Sequence, residues 1–440
     1  MTEERELIDF VTGQRWFGSK TREVMHASVV DRAVLRDSEP QLELQLVETR
    51  FAEGTHETYQ LLVSGDSFDA LEDPRHVREL VYLVRAARTA PAGQGVVDFN
   101  VVEGYAGLGQ ELREVRAIEA EQSNTSVVFD DELILKVFRR LEAGINPELE
   151  LLRFLTEKGF ENIAQLAGWY AYQGKPMDAT LGILQRFVVG GRDGWELALD
   201  MIESDADAFL PRLRRLGEVT GRMHAVLGSD PGDPNFSAEE TSAESLGLLT
   251  ATVDEEIERV FLDLPEGIPE LDPIRGRGEE VREQLRLLTH IGGTGRVIRH
   301  HGDFHLGQTL WADDDWVILD FEGEPARSLP ERRRKRSPLR DVAGMLRSFA
   351  YVATAAELQR GFEPPEGWEG RAREQFLEGY RATVDQSLVP AGAAMDKLLS
   401  VFELEKAVYE LRYELNNRPD WVRIPVAGIV RMLETEEVAA

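Results

Sequence analysis

The sequence predicts an α+β chain in which a sheet-bearing N-terminal part precedes a mainly helical C-terminal part. Two patterns carry that expectation. Before residue 190, apolar residues alternate at period two, as in Gln41–Val47 and Tyr59–Val63. Beyond Gly190-Gly191 they recur at helical spacing, clearest over 207–227 and 397–417. A chain of 440 residues is also long enough for two or three folding units at about 150 residues each.

The elements follow in order. Residues 1–90 begin with a short helix and continue as strands, forming a small sheet-containing unit. The turn-forming segment Thr89-Ala90-Pro91-Ala92-Gly93-Gln94-Gly95 reads as a connection and sets a boundary near it. In 91–190, strands Ser126–Phe129 and Leu133–Phe138 flank the turn Asp130-Asp131-Glu132. A helix then starts at the cap and first-turn pair Asn146-Pro147, with Leu149, Leu152, Phe154 and Leu155 on one face. Residues 191–440 form the helical part.

Composition removes several functions. With no cysteine, the chain has no disulfide, thiolate nucleophile or Cys-ligated metal. The net charge of −30 repels nucleic acid and anionic membranes, so neither is expected as a partner. Any nucleotide site in so acidic a protein must bring its own cations. No apolar run approaches the roughly 18 residues of a membrane span, and the start Met1-Thr2-Glu3-Glu4-Arg5-Glu6 is acidic where a secretory signal is basic; a cytoplasmic monomer is expected. The basic run Arg332–Arg336 reads as local charge balance on a loop.

The strongest motif is His301-Gly302-Asp303-Phe304-His305-Leu306-Gly307-Gln308, followed by the apolar strand Val317–Leu319 ending in Asp320. A carboxylate at Asp303 can take the proton of an attacking hydroxyl, and the amide oxygen of Gln308 with the carboxylate of Asp320 can hold magnesium on ATP. His301 reads as a brace behind the loop, His305 as a residue facing the acceptor, and Asp341 as a cap or loop anchor.

Only seven of the fifty basic residues are lysines, so Lys136 inside Leu133–Phe138 stands out. It either snorkels from an edge strand or grips ATP phosphates while a helix carboxylate holds it. Glu150, a full turn inside the helix, is favoured as that carboxylate, with Glu148 left open. The polar run Gln122, Ser123, Asn124, Thr125 and Ser126 offers amides and hydroxyls that can cover phosphates. Farther on, Tyr409 with Tyr413 and Glu410 with Glu414 share neighbouring i,i+4 faces that suit a sugar, or else a core and a solvent face; Trp421 and Arg431 extend that wall.

Together these residues resemble the actinobacterial maltokinase family, with glucosamine kinases as a close sister group. The resemblance is carried by Arg15–Lys20, Leu135–Arg140, Asn146–Glu150, the His301–Gln308 and Asp320–Arg327 blocks, Ser337–Ser348 and Tyr409–Pro425. It implies a two-lobed protein-kinase-like fold, akin to the aminoglycoside phosphotransferases: a cap subdomain at 1–90, an ATP-binding N-lobe at 91–190, and a catalytic and sugar-binding C-lobe at 191–440. It implies ATP-dependent phosphorylation of maltose on its anomeric hydroxyl, giving maltose 1-phosphate for α-glucan synthesis.

In that scheme Asp303 is the base, Gln308 and Asp320 are the magnesium ligands, and Lys136 with Glu150 serves the phosphates. Gln185, Phe187 and Val188 are the adenine-contacting hinge, and His305, Tyr409, Glu410, Tyr413, Trp421 and Arg431 are the sugar-site positions. Glucosamine or another aminosugar is the alternative acceptor; an aminoglycoside- or choline-type kinase and a nucleotide-binding pseudokinase are more distant alternatives.

Overall fold

The computed structural model describes residues 2–65, 67–105, 112–118, 123–288 and 295–434. The chain forms two compact units, residues 1–157 with 163–190, and residues 158–162 with 191–440.

The first unit runs α1 (Thr2–Gly13), β1 (Val24–Arg36), β2 (Leu42–Phe51), β3 (His56–Val63), α2 (Pro74–Arg85), β4 (Thr89–Pro91), β5 (Gly95–Val101), β6 (Val115–Ile118), β7 (Asn124–Phe129), β8 (Leu133–Phe138), β9 (Arg140–Leu141), α3 (Pro147–Glu157), β10 (Leu166–Gly174) and β11 (Asp178–Arg186). The strands form two antiparallel sheets, in the orders β1-β2-β3-β9 and β4-β5-β10-β11-β8-β7-β6. Alternation decides which face is core: Leu42, Leu44 and Leu46 of β2 are buried. In the smaller sheet, Leu7 and Val11 of α1 pack with Trp16, Phe17, Tyr59 and Leu61.

The expected connection at 89–95 is instead a hairpin, with Thr89 opposite Asp98 and Pro91 opposite Val96. Proline is tolerated there because β4 is an edge strand and needs no donor on its outer side. The chain also crosses directly from β8 in one sheet to β9 in the other. Between them Arg139, 2% exposed, donates to Thr125 Oγ1 at 2.7 Å and to Asp69 Oδ2 at 2.6 Å, and lies 5.1 Å over the Trp16 ring. Gln60 Nε2 of β3 donates to Phe138 O of β8 at 2.7 Å. A buried polar seam therefore joins the two sheets, and leaving any member unpaired would cost the desolvation of a buried donor.

The second unit runs β12 (Arg192–Asp193), α4 (Gly194–Leu227), β13 (Glu239–Glu240), α5 (Ala243–Leu262), α6 (Gly278–Leu288), β14 (Arg296–Val297), β15 (Thr309–Ala312), β16 (Asp315–Ile318), α7 (Leu329–Arg332), α8 (Leu339–Arg360), α9 (Trp368–Thr383), α10 (Ala393–Asn417) and α11 (Arg423–Glu434). The long α4 breaks at Asp205 (φ −158°), whose carboxylate accepts from Ala208 N at 3.1 Å and so caps the second half. In α10, Val401, Leu404, Val408 and Leu411 join the buried cluster with α5, α6 and α11. That stripe at helical spacing turns the opposite side of α10, bearing Lys406, Tyr409 and Tyr413, toward the site described below. No helix among the described residues is long and apolar enough to cross a membrane.

Candidate active site

Lys136 lies on an interior strand, opposite Ser126 of β7 and Ile183 of β11, so it does not snorkel from a sheet edge. It is 7% exposed, and its ammonium needs a charged partner. Glu148 supplies one: Lys136 Nζ stands 2.8 Å from Glu148 Oε2. This corrects the preference for Glu150. Asn146 Oδ1 accepts from Glu148 N at 2.8 Å, fixing the first turn of α3 with Glu148 directed at the lysine. Glu150, two residues on, points roughly 200° around the helix from it and is buried in its own right.

The polar run before β8 also differs from expectation. Asn124, Thr125 and Ser126 belong to β7, opposite Phe138, Val137 and Lys136. Their residue types suit a half-buried strand as well as a loop: Asn124 and Ser126 are buried, and the Thr125 hydroxyl takes its bond from Arg139. Only Ser123 precedes the strand, and Gln122 lies outside the described residues. Gln185 is the penultimate residue of β11, its Nε2 donating to Ala164 O at 3.3 Å. Phe187 follows the strand, with its N–H donating to Glu132 O at 2.8 Å, and Val188 comes next in the segment that leaves the sheet.

In the second unit the loop bearing Asp303 is held from behind by Asp341 of α8. Its two oxygens accept from His301 N at 2.8 Å and Gly302 N at 2.9 Å, and its Oδ2 also faces His224 Nε2 at 3.1 Å. Burial opposes the charge on Asp341, but His300, His224 and His301 win and hold its carboxyl well below the usual carboxylate range. Asp341 is thus the loop anchor. His301 is the brace: its Nε2 meets Leu319 O at 2.8 Å, and its ring packs between Phe304 and Phe321.

Gly302 takes φ +89°, a left-handed conformation that turns the chain so that Asp303 emerges half-buried. Gly344 of α8 runs against the same loop, where a Cβ would stand 2.6 Å from Phe304 O. The 3₁₀ turn Leu306–Gln308 then brings Gln308 Nε2 to 3.1 Å from Asp320 Oδ2, with Asp320 itself at φ +57°. An amide oxygen and a carboxylate on adjoining segments are the hard donors that Mg²⁺ takes, so the residues fit the ion. Burial lowers the pKa of His305, although Asp303 opposes the shift, and its Nδ1 accepts from Gly307 N at 3.1 Å.

Beside Asp303 opens a cavity of about 910 Å³ lined by His305, Glu324, Lys406, Tyr409, Glu410, Tyr413, Glu414 and Trp421. Glu410 and Glu414 are already neutralised. Arg347 donates to Glu410 Oε2 at 2.9 and 2.6 Å, while Glu414 accepts from Arg418 at 2.9 and 2.7 Å and from Tyr351 OH at 2.9 Å. Burial, with Glu410 and Glu414 nearby, pushes the Tyr351 phenol far up, keeping it a donor. Tyr351 stacks on Trp421 with ring centroids 6.1 Å apart, a flat apolar face beside carboxylate oxygens. Lys406 Nζ stands 3.9 Å from Asp303 Oδ1.

A family model described as "Phosphotransferase enzyme family" matches residues 114–372, and a "Maltokinase N-terminal cap domain" model matches residues 10–98. The chain belongs to the phosphotransferase enzyme family. Residues 10–98 match the maltokinase cap, and the chain is an ATP-dependent carbohydrate kinase of the phosphotransferase enzyme family. Similar relatives include a glucosamine kinase of Streptacidiphilus jiangxiensis, 26% identical over 76% of this chain and 76% of the relative. A glucosamine kinase of Mycolicibacterium smegmatis is 25% identical over 74% of this chain and 81% of the relative. A solved glucosamine kinase, in complex with glucosamine, ADP and inorganic phosphate, shares the fold at TM-score 0.73 and 21% identity, covering 97% of this chain and 98% of that one.

Against the phosphotransferase fold, one expected sugar contact is displaced. Arg431 sits in the last turn of α11, where its guanidinium pairs with Glu369 of α9 at 2.8 Å, and it does not line the cavity. A helix start between Trp421 and Arg431 rotates the two apart, which linear proximity conceals. Conversely, Glu324, Arg347, Tyr351, Lys406 and Arg418 line the cavity without having been singled out. Lys406 was within reach of the sequence, since it precedes Tyr409, Glu410 and Tyr413 by three, four and seven residues on one helix. Arg347 and Tyr351 come from another helix and left no local signal.

Proposed function

We propose that this enzyme transfers the γ-phosphoryl group of ATP to the anomeric hydroxyl of maltose, giving maltose 1-phosphate. The observation that carries this reading is the large cavity beside Asp303, whose wall carboxylates Glu410 and Glu414 are each paired to an arginine. A neutral sugar needs hydroxyl acceptors and a flat apolar face, and that wall offers both. An ammonium substrate would favour carboxylates without an internal cation. A cavity of about 910 Å³ also has room for a disaccharide.

In this reading the sugar hydroxyl gives its proton to Asp303 as its oxygen bonds to the γ-phosphorus, and the bond to the β–γ bridging oxygen breaks to release ADP. Lys136, held by Glu148, grips phosphate oxygens, while Gln185, Phe187 and Val188 serve the adenine. Gln308 and Asp320 would hold Mg²⁺, which neutralises phosphate charge when bound. Lys406 and neutral His305 orient the acceptor hydroxyl beside Asp303. The boundaries 1–90, 91–190 and 191–440 describe the proposed division into cap, nucleotide-binding and catalytic parts.

Glucosamine is the second reading, favoured by the names of the two relatives described above. Phosphate transfer from ATP and Mg²⁺ to maltose, glucose, glucosamine and an aminoglycoside, with NMR of the product, separates them. Maltose alone, modified at the anomeric carbon, is expected. Turnover of glucosamine without maltose would overturn the substrate and retain the catalytic assignments.

A further inference from the structure

A second cavity, of about 330 Å³, also opens on Asp303, and its wall is unlike the sugar wall. In a chain of net charge −30 it gathers seven cationic side chains, Arg327, Arg332, Arg336 and Arg340 among them, against six carboxylates. Most of these cations are answered. Arg327 pairs with Glu324 at 2.5 Å, Arg340 with Glu405 at 2.9 Å, and Arg332 donates to Glu322 O at 3.1 Å. Arg336 is the remainder: among the described residues its guanidinium makes no hydrogen bond or ion pair, although the side chain is half-buried.

The neighbourhood of Arg336 is hostile to an unanswered cation. Burial first, and then Arg340 and Arg327, pull its pKa down to about 10, a rare depression for a guanidinium. His300 borders the same cavity, is 7% exposed, and has a buried Nδ1 with no hydrogen-bond partner. Burial and the adjacent Arg336 and Arg340 keep that imidazole neutral, with its pKa pushed down to about 3, so it can offer one N–H donor. The unpaired guanidinium of Arg336 lines a small cavity whose wall also holds this imidazole, and an anion seated there would answer the guanidinium.

We propose that this cavity is an anion subsite, built on Arg336 and His300, that binds the phosphate group of a phosphate monoester or of inorganic phosphate. The two cavities share Asp303, Glu324, Lys406 and Tyr409, so an occupant of the anion subsite competes with the acceptor sugar. A phosphorylated sugar can lay its ring toward the larger cavity and its phosphate toward Arg336. The subsite then makes the enzyme sensitive to phosphorylated carbohydrate, a consequence beyond the transfer reaction itself.

Titration calorimetry of the full chain, saturated with ADP in the absence of Mg²⁺, tests this with inorganic phosphate and with glucose 1-phosphate. Saturating ADP fills the adenine and diphosphate positions, phosphate taken at the vacant γ position would bind wild type and R336Q alike, and binding needs no turnover, so failure of the maltose reading leaves the result intact. Wild type is expected to bind at least one of the two anions, and Arg336→Gln should weaken it by about tenfold or more, the loss of one charge-assisted contact. Arg336→Lys should recover part of the affinity.

Tighter binding of glucose 1-phosphate would show that the sugar cavity takes part, and equal binding that phosphate alone is read; both support the subsite. In thermal melts, phosphate should raise the Tm of wild type but not that of R336Q, a difference that a merely structural arginine would not produce. No binding of either anion, or equal affinity and equal Tm shift in wild type and R336Q, overturns the proposal.

Discussion

Lys136 finds its carboxylate twelve residues along the chain, whereas the loop of Asp303 is anchored across forty residues by Asp341, and the sugar wall is neutralised across sixty-three by Arg347. The Lys136–Glu148 pair, proposed to grip the nucleotide, is a local device: a strand, a turn and a capped first helical turn suffice to bring its partners together. The catalytic loop and sugar wall are assembled instead from α4, α8 and α10, and their geometry depends on how those helices pack. Local devices tolerate change elsewhere, while assembled ones fail when a distant backbone moves.

The largest effect that would sharpen this contrast is chemical. Asp303→Asn should lower kcat by roughly 10²–10⁴-fold with ATP affinity nearly unchanged, as expected when a general base is removed. Stopped-time phosphate transfer and nucleotide titration check it, and retained turnover would remove Asp303 from its role.

Next comes the local pair. Glu148→Gln removes the carboxylate 2.8 Å from a buried ammonium and should cost about 3–5 kcal/mol of stability while raising the Michaelis constant for ATP. Glu150→Gln should do less on both counts, measured by denaturant titration and initial rates. The reverse order would break the assignment of the partner.

Gly344→Ala probes the assembled site from a distance. Its Cβ would meet Phe304 O at 2.6 Å, so either α8 or the loop next to Asp303 must shift. A loss of about 1–3 kcal/mol is expected, with kcat reduced and the ATP Michaelis constant unchanged. Wild-type kcat in the alanine variant would show that the loop is less dependent on α8 than the contact implies.

Smaller effects divide the sugar wall. Trp421→Ala should raise the sugar Michaelis constant roughly tenfold, the worth of one stacked aromatic contact, while Arg431→Ala should leave it within about twofold. Steady-state kinetics at saturating ATP compare the two variants directly.

The gentlest test is acidity. His300 is neutral when folded, with its pKa lowered from 6.5 to about 3 by burial, so between those values the unfolded chain binds the extra proton. Asp341, held low by its histidine neighbours, shifts stability in the same direction. The His300 contribution is present above about pH 6.5 and is lost as the pH falls toward 3, while that of Asp341 is present above about pH 3.8 and is lost only below it. Thermal melts across that range should show Tm falling with acidity, and less steeply in His300→Asn.

Much of this was legible in advance. The α+β division, the hairpin flanking Asp130–Glu132, the helix opening at Asn146-Pro147, and the residues of the Asp303 block follow from periodicity, capping chemistry and the chemistry of metal-bound phosphate. These signals lie within a few residues of one another, where chain connectivity already enforces proximity. The hairpin at 89–95 was concealed because turn formers and a proline are also compatible with an edge strand. Asn124–Ser126 misled for a similar reason, since small polar residues serve equally in loops and in half-buried strands.

By itself the sequence determined which groups the protein carries: a lysine in an apolar strand, a carboxylate proposed as the base, an amide and a carboxylate proposed for a metal, and tyrosines and glutamates on one helix. Tertiary structure decided which of those groups meet. It set Glu148 against Lys136 by helix phase, turned Arg431 toward Glu369, supplied Arg347 and Tyr351 to the wall proposed for the sugar, and left Arg336 facing a cavity with no side-chain partner among the described residues. The reason is physical: residue type and spacing set what a side chain can do over one or two turns, whereas charge pairing and cavity shape depend on the packing of elements far apart in the chain.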